Sequence, residues 1–511
     1  MANHLFDALL APHAGKDTRF LILPDGTSIS HAAFLALAAR YANALRACGL
    51  STGDRVALQL EKSPDMLAVI AGAVQAGMVF LPLNTAYTPA EVGYFVGDSG
   101  AQLLLCPSAA LALLTPVATA TGARLMTLDP GGSGSFGEVA RGQPDESPVE
   151  PRGPGDLAAL LYTSGTTGRS KGAMLSHANL LSNAEVLVKT WDFTPQDVLL
   201  HALPIFHTHG LFVSTNVALK AGCPMIFLPK FDAGEVIRLL PQATAMMGVP
   251  TFYTRLLADA RLTRDLTANV RLFVSGSAPL LAETHREWEA RTGHRILERY
   301  GMTETNMNTS NPYRGDRRAG TVGLPLPGIE VRVCDSGGQE RPTGEIGVIE
   351  VRGPNVFKGY WGMPDKTREE LRDTGFFITG DLGQMSQDGY LTIVGRAKDL
   401  VITGGFNVYP KEIEEALDAC EGVKESAVIG VPHPDFGEAV VAVVVPRPCE
   451  RPDPETLMAR IGESLARFKL PKRIILREEL PRNAMGKVQK AALRDEFRGL
   501  FASEVQRPTP T

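Results

Sequence analysis

From about residue 30 to residue 300, stretches with apolar residues at helical spacing alternate with short apolar runs. Residues 31–48 carry Phe34, Leu37, Ala38, Tyr41 and Leu45 on one helical face, and Gly49 stops the pattern. Residues 55–60 read as a strand, after which Ser63-Pro64 open a helix as N-cap and first helical residue. Residues 78–83 are the next strand, Thr88-Pro89 the next helix start, and Leu103-Leu104-Leu105 a further strand. After residue 156 the alternation resumes, with strands at residues 157–162, 198–203, 225–228, 245–249 and 272–274. Alternation of this kind predicts parallel sheets in α/β layers.

Residues 130–155 are rich in Gly, Pro and Ser and read as a connector between two α/β halves. Gly132-Ser133-Gly134-Ser135-Phe136-Gly137 within it matches G-x-G-x-x-G. A dinucleotide site needs that motif at a strand-to-helix turn, with an acid about 20 positions on at a second strand's end. Here that distance lands in Pro148-Val149-Glu150-Pro151, which reads as loop, so the match carries no such assignment. After residue 318, short strands at residues 328–333 and 344–351 alternate with Gly/Pro turns and predict a small antiparallel sheet or barrel. From about residue 400 a compact α+β piece follows, and residues 507–511 read as a frayed tail.

A chain of 511 residues exceeds what one core serves, so several domains are expected. Its net charge of −5 comes with no Lys/Arg-rich block and no basic amphipathic helix, which argues against nucleic acid and membrane surfaces as partners. Any anionic ligand must be gripped by local groups. The six cysteines are widely spaced without a C-x-x-C pair, which fits reduced thiols better than a disulfide frame or a zinc site. The N-terminus lacks the pattern of a signal peptide, and no apolar run reaches the ~20 residues needed to span a bilayer. A cytoplasmic protein is expected.

Those local groups are concentrated in Thr163-Ser164-Gly165-Thr166-Thr167-Gly168-Arg169-Ser170-Lys171-Gly172, directly after the strand at residues 157–162. Glycines let backbone N–H groups curl around an anion, hydroxyls donate hydrogen bonds, and Arg169 and Lys171 supply charge. Nearly every group here is a donor, which suits a polyphosphate better than it suits a flexible linker. The spacing is not G-x-x-x-x-G-K-[ST], so this is not the loop of that NTPase class.

Five further motifs agree with this one. They are Glu298-Arg299-Tyr300-Gly301-Met302-Thr303-Glu304-Thr305, Thr379-Gly380-Asp381, Gly395-Arg396-Ala397-Lys398-Asp399, residues 404–414 beginning Gly404-Gly405-Phe406, and Pro481-Arg482-Asn483-Ala484-Met485-Gly486-Lys487. Together they resemble the adenylate-forming superfamily of acyl-CoA synthetases, adenylation domains and luciferases, in order and spacing and over almost the whole chain. The resemblance implies an α/β fold: a large N-terminal domain, residues 1–398, with two α/β subdomains and a small β-barrel, and a mobile α+β C-terminal domain, residues 399–511.

The resemblance also implies a two-step reaction: a carboxylate attacks the α-phosphate of Mg-ATP to give acyl-AMP and pyrophosphate, and the CoA thiol then displaces AMP. Thr163, Ser164, Gly165, Thr166, Thr167, Gly168 and Lys171 would then hold the β- and γ-phosphates. Thr303 would donate to the α-phosphate, and Glu304 would give Mg²⁺ a hard oxygen ligand. Tyr300, Gly276 and Ser277 would enclose adenine, Glu298 would accept from its amino group, and Asp381 and Arg396 would hold the ribose. Lys487 would bridge the attacking carboxylate and the α-phosphate; its loop is also a candidate for lysine acetylation and deacetylation, which would switch the charge. Lys490 nearby reads as a solvated lysine. Lys398 takes the hinge position, and Gly404 and Gly405 would leave a channel for the pantetheine arm of CoA.

For the acid, His207 in Pro204-Ile205-Phe206-His207-Thr208-His209-Gly210 stands where the family places a residue beside the reacting carboxylate, and His209 reads as structural. Arg286, on a helix at residues 281–291, would pair a second substrate carboxylate bidentately; alternatively it is a solvated arginine paired with Glu283 or Glu289. The text around Arg286 resembles malonyl-CoA synthetases in particular, which implies malonate as the acid. Other readings are another short-chain, methyl-branched or 4-coumarate-like ligase, an adenylation protein loading a carrier, a catalytically dead scaffold, or a redox enzyme resting on residues 132–137 alone. A monomer or weak dimer is expected.

Overall fold

The computed structural model describes residues 3–163, 170–403, 406–434, 436–483 and 486–501. Ser164, Gly165, Thr166, Thr167, Gly168, Gly404 and Gly405, all expected to touch ligand, lie outside the described residues, as does the tail. The chain divides into two compact units, residues 1–331 with 351–378, and residues 332–350 with 379–511.

The first unit contains the predicted α/β layers as two sheets. One has six strands in the order Arg124–Thr127, Leu103–Cys106, Arg55–Leu58, Val79–Pro82, Leu157–Thr163, Lys171–Ser176. All pairs are parallel except the last, which is antiparallel with Thr163 opposite Lys171. The inner parallel strands Leu103–Cys106 and Val79–Pro82 are apolar and buried at every position because both faces are covered. The helices begin where their caps predict. Ser63 accepts from Met66 N ahead of Pro64–Gln75, and Thr88 and Glu91 form a capping box on Pro89–Ser99.

The other sheet has nine strands in the order Leu324–Pro325, Asn306–Ser310, Leu297–Met302, Leu272–Ser275, Ala245–Gly248, Leu199–His201, Met225–Phe227, Arg19–Ile22, Ser28–Ser30. Its middle is parallel and its ends antiparallel. Trp288 of helix Ala282–Thr292 packs edge-on against Tyr253 and Phe273, each at 4.9 Å, so this helix is locked to the sheet. Burial of such a ring is worth about 1.5–3 kcal/mol.

Two expectations are corrected. The connector at residues 130–155 contains a helix, Ser135–Arg141, so part of the G-x-G-x-x-G match is helical. In place of a closed barrel, the described residues form a four-stranded sheet in the order Glu330–Cys334, Gly347–Arg352, Phe377–Met385, Leu391–Arg396. The second unit continues with a five-stranded sheet, in which Gly437–Pro446 lies between Val401–Thr403 and Val423–His433 and also pairs with Arg473–Leu476; Phe406–Val408 completes it. Helices Pro410–Asp418 and Pro454–Gly462 bring Ile413, Leu417, Leu457 and Ile461 into an apolar cluster with strand valines.

Candidate active site

In open α/β sheets the binding crevice lies at the carboxyl ends of the strands, and in the first unit that is where the candidate residues collect. Strand Leu272–Ser275 runs out into Gly276 and Ser277, and Ser277 holds φ +71°. A non-glycine residue in that region stores strain, a mark of functional turns. Its neighbour, strand Leu297–Met302, carries Glu298 and Tyr300, both buried, and turns through Thr303 and Glu304 into Asn306–Ser310. Gly301 is required here, because a Cβ would lie 1.9 Å from Asn306 O. Glu298 Oε1 accepts from Gly320 N at 3.1 Å.

Glu304 is buried and belongs to a charged network. The Tyr360 hydroxyl lies 3.1 Å from Glu304 Oε1 and 2.6 Å from Glu370 Oε2, and Lys171 Nζ donates to Glu370 at 3.0 Å while lying 4.1 Å from the Tyr360 ring centroid. Burial and the two carboxylates push the Tyr360 phenol upward. Burial raises the Glu370 carboxyl, but bonds from Tyr360, Lys366 and Lys171 outweigh it and hold it low. Glu304 is a buried carboxylate at the end of this network, a hard oxygen donor. That donor chemistry fits Mg²⁺ shared with phosphate oxygens. Tyr360 and Glu370 were not singled out from sequence; their partners are far along the chain, and no local motif marks them.

His207 precedes a helical segment at His209–Thr215, and its Nδ1 accepts from His209 N at 3.3 Å. His209 is fully buried and is held neutral by burial first, then by Arg299. Its Nδ1 lies 3.3 Å from Ser277 Oγ. Arg286 is exposed, and its Nε donates to Ala282 O on its own helix at 3.3 Å.

In the second unit, Asp381 and Arg396 stand opposite each other on antiparallel strands, with Arg396 Nε 2.8 Å from Asp381 Oδ1. Thr379 Oγ1 accepts from Asp381 N at 3.1 Å and orients the carboxylate's strand. Lys398 and Asp399 follow in a short 3-10 turn, where Arg494 pairs with Asp399. The Lys487 turn is built by Asn483, whose Oδ1 accepts from Lys487 N at 3.0 Å, and by Arg482, which donates to Gly486 O at 2.6 Å and pairs with Glu425. Lys487 keeps solvent access, yet crowding by surrounding atoms, followed by repulsion from Arg396, lowers its pKa to about 8. Asp381 and Asp399 oppose that shift, so Lys487 is within electrostatic reach of the ribose candidates. Lys490 is not solvated as expected: it pairs with Glu414 at 2.6 Å.

Among the described residues no cluster of three or more His, Cys, Asp or Glu could hold a metal by itself, and no helix is long and apolar enough to cross a membrane.

The family model described as AMP-binding enzyme matches residues 11–361, and that of the AMP-binding enzyme C-terminal domain matches residues 412–487. The crystal structure of ATP-bound MatB from Rhodopseudomonas palustris is 56% identical, with a TM-score of 0.96 and coverage of 98% of this chain and 100% of that one. Malonate–CoA ligase of Arabidopsis thaliana is 36% identical over 479 residues, 87% of this chain and 78% of the plant protein. Feruloyl-CoA synthase of an Amycolatopsis species is 38% identical over 496 residues, 96% of this chain and 97% of that protein. The chain belongs to the AMP-binding enzyme family.

Proposed function

We propose that this AMP-binding enzyme is an ATP-dependent malonate:CoA ligase that works through malonyl-AMP and acts in the cytoplasm. The observation that carries malonate is the similarity to the plant malonate–CoA ligase over most of both chains. Cations in the acid-side region of the first unit, Arg299 and Arg286, agree with a dianionic substrate. The feruloyl-CoA synthase likeness makes an aromatic acid the competing substrate.

In the first step Thr163, Lys171 and the residues between them hold the β- and γ-phosphates. Lys171 leaves Glu370 for the nucleotide, exchanging one anion for another. Glu304, with Tyr360 orienting it, would hold Mg²⁺, which when bound would offset phosphate charge. Thr303 donates to the α-phosphate. Tyr300, Gly276 and Ser277 enclose adenine, Glu298 accepts from its amino group, and Asp381 accepts from the ribose hydroxyls with Arg396 beside it. His207 orients the reacting carboxylate, and Lys487 neutralises charge as carboxylate and α-phosphate meet.

Pyrophosphate leaves, and the C-terminal residues from Asp399 turn about Lys398 before the second step. Gly404 and Gly405 then admit the pantetheine arm, and the CoA sulfur attacks the acyl carbon and expels AMP. Acetylation of Lys487 would stop the first step and leave the second. A panel of malonate, methylmalonate, propionate and a cinnamate, scored by AMP release with CoA, tests the reading. Malonate should give the highest kcat/KM; a cinnamate preferred over malonate sinks it.

A further inference from the structure

The Lys487 turn stands between two buried apolar anchors, Leu480 and Leu493, which share a cluster with Ala427, Ile429 and Val431 of strand Val423–His433. The anchors fix where the turn begins and ends, and leave its orientation to polar contacts. Its backbone closes on itself. Asn483 N donates to Lys487 O at 2.9 Å, Gly486 N to Asn483 O at 2.8 Å, and Gln489 N to Pro481 O at 2.7 Å. Those bonds shape the turn without tying it to its neighbours.

Two ion pairs do tie it. Before Lys487, Arg482 pairs with Glu425 of the strand while its Nη1 donates to Gly486 O at 2.6 Å. One guanidinium therefore joins the strand to the residue that precedes the lysine. After Lys487, Lys490 opens helix Lys490–Phe497 and pairs at 2.6 Å with Glu414 of helix Pro410–Asp418. Glu414 in turn accepts from Val428 N at 2.7 Å, which fixes it to the same strand as Glu425. The four side chains are only 17 to 28% exposed, so these pairs hold direction better than pairs on an open surface. A third carboxylate, Asp418, lies near both acids. Its Oδ1 has no partner among the described residues, and burial first, then Glu414 and Glu425, push it up to about 8. The two cations are thus matched by two anions, and the third acid is mostly protonated at neutral pH.

We propose that Glu425, acting through Arg482, and Glu414, acting through Lys490, are positioning residues for adenylation, two ionic legs that hold the Lys487 turn in the orientation its reaction needs. This rests on the adenylation role proposed for Lys487. Neither carboxylate touches substrate. Their effect is geometric, and a misplacement of about 1 Å at the reacting atoms can cost roughly 100-fold in rate. The charges that move the Lys487 pKa are Arg396, Asp381, Lys398 and Asp399. Removing Glu425 should therefore lower kcat at every pH without moving the alkaline limb of the profile.

The test is malonate-dependent ATP–pyrophosphate exchange, thioester formation from supplied malonyl-AMP, and Tm. It compares wild type with Lys487→Ala, Glu425→Gln, Arg482→Gln, Arg482→Lys, Glu414→Gln and the double change Glu425→Gln with Arg482→Gln. Glu425→Gln should cut the kcat of exchange roughly tenfold and Arg482→Gln roughly 30-fold, with the KM values for ATP and malonate within about twofold. The double change should match Arg482→Gln alone, because both act on one leg. Glu414→Gln should cost roughly fivefold. Thioester formation should stay within about twofold in every variant. Arg482→Lys keeps the charge beside Glu425 and gives up the second arm to Gly486 O, so it should hold the wild-type Tm and still lose kcat. That variant decides the matter if Glu425→Gln unfolds. Unchanged exchange in Glu425→Gln and Arg482→Lys, equal loss of both half-reactions, or a shifted alkaline limb in Glu425→Gln overturns the proposal. Exchange that survives Lys487→Ala overturns the role of Lys487 and the legs with it; exchange lost in Lys487→Ala but intact in the Glu425 and Arg482 variants overturns the legs alone.

Discussion

The second unit holds its charges in pairs, and the first holds both a pair, Lys171 with Glu370, and a buried cation, Arg299. In the second, Asp381 pairs with Arg396, Asp399 with Arg494, Glu425 with Arg482 and Glu414 with Lys490. In the first, Arg299 is buried, and its Nε and Nη2 find no hydrogen-bond partner among the described residues. The difference teaches where ligand energy is spent. Groups paired within the protein are already solvated by their partners, so a ligand gains only the difference between partners. Groups left unpaired and dry release their full desolvation penalty to whatever ligand satisfies them, and so decide which ligand that is. In the function proposed above, nucleotide chemistry draws on paired groups, Asp381 with Arg396 and Lys171 with Glu370.

Removing the one cation of the second unit assigned to the reacting atoms should give the largest effect. Lys487→Ala should cut malonate-dependent ATP–pyrophosphate exchange about 100- to 1000-fold, the scale of losing one preorganised transition-state donor. Thioester formation from supplied malonyl-AMP should survive; loss of both reactions alike would make Lys487 a structural residue. Next comes Asp381→Asn. It deprives Arg396 of its partner and the ribose of an anionic acceptor, so the KM for ATP should rise about 30-fold with the malonate-over-propionate ratio unchanged. A shift in that ratio would erase the division between the two kinds of site.

Gly276→Ala tests the unpaired side without removing a charge. The new methyl must displace the tip of the Arg299 side chain, which is flexible, so the fold should tolerate it. Because Gly276 is assigned to the adenine enclosure, the KM for ATP should rise about tenfold, and an Arg299→Lys change combined with it should add little, because both act on one contact. Additive losses would place Arg299 elsewhere. Tyr360→Phe should be milder, about five- to tenfold on the KM for ATP, with stability lower by about 1–2 kcal/mol because the Glu304 and Glu370 carboxylates lose a shared donor. Thermal unfolding with and without Mg-ATP separates the two contributions.

The alternation of strands and helices was legible because it is local: the caps at Ser63 and Thr88 and the all-apolar runs at Val79–Pro82 and Leu103–Cys106 each carry their own signal. The family motifs that carry Glu304, Asp381, Arg396 and Lys487 are legible for the same reason, being local runs of sequence. What the sequence hid depends on pairing across long separations. Lys171 meets Glu370 from 199 residues away, and neither neighbourhood announces the other. Arg299 lies inside a motif that is read in full, yet its burial is not legible there, because burial is set by the neighbouring strand and not by flanking residues. The available signal was the glycine opposite it: a large cation on one parallel strand beside a Gly on the next.

The smallest predicted effect also bears most directly on how a paired site is tuned. Lys487 has its pKa lowered from 10.5 to about 8, by crowding first and by Arg396 second. The charged form is the one proposed to act, so kcat/KM for adenylation should decline as pH rises through about 8. Stability should move the other way. Between the folded and unfolded values the unfolded chain binds more protons at this lysine, so its contribution to stability rises with pH over that interval. An alkaline loss of activity with no fall in Tm therefore separates titration of Lys487 from unfolding. Arg396→Gln removes a cation that depresses the lysine and should move the alkaline limb to higher pH, while Asp381→Asn removes an anion that supports it and should move the limb lower. Limbs that stay put in both variants would show that Lys487 does not set the profile, and that the paired groups of the second unit do not tune it.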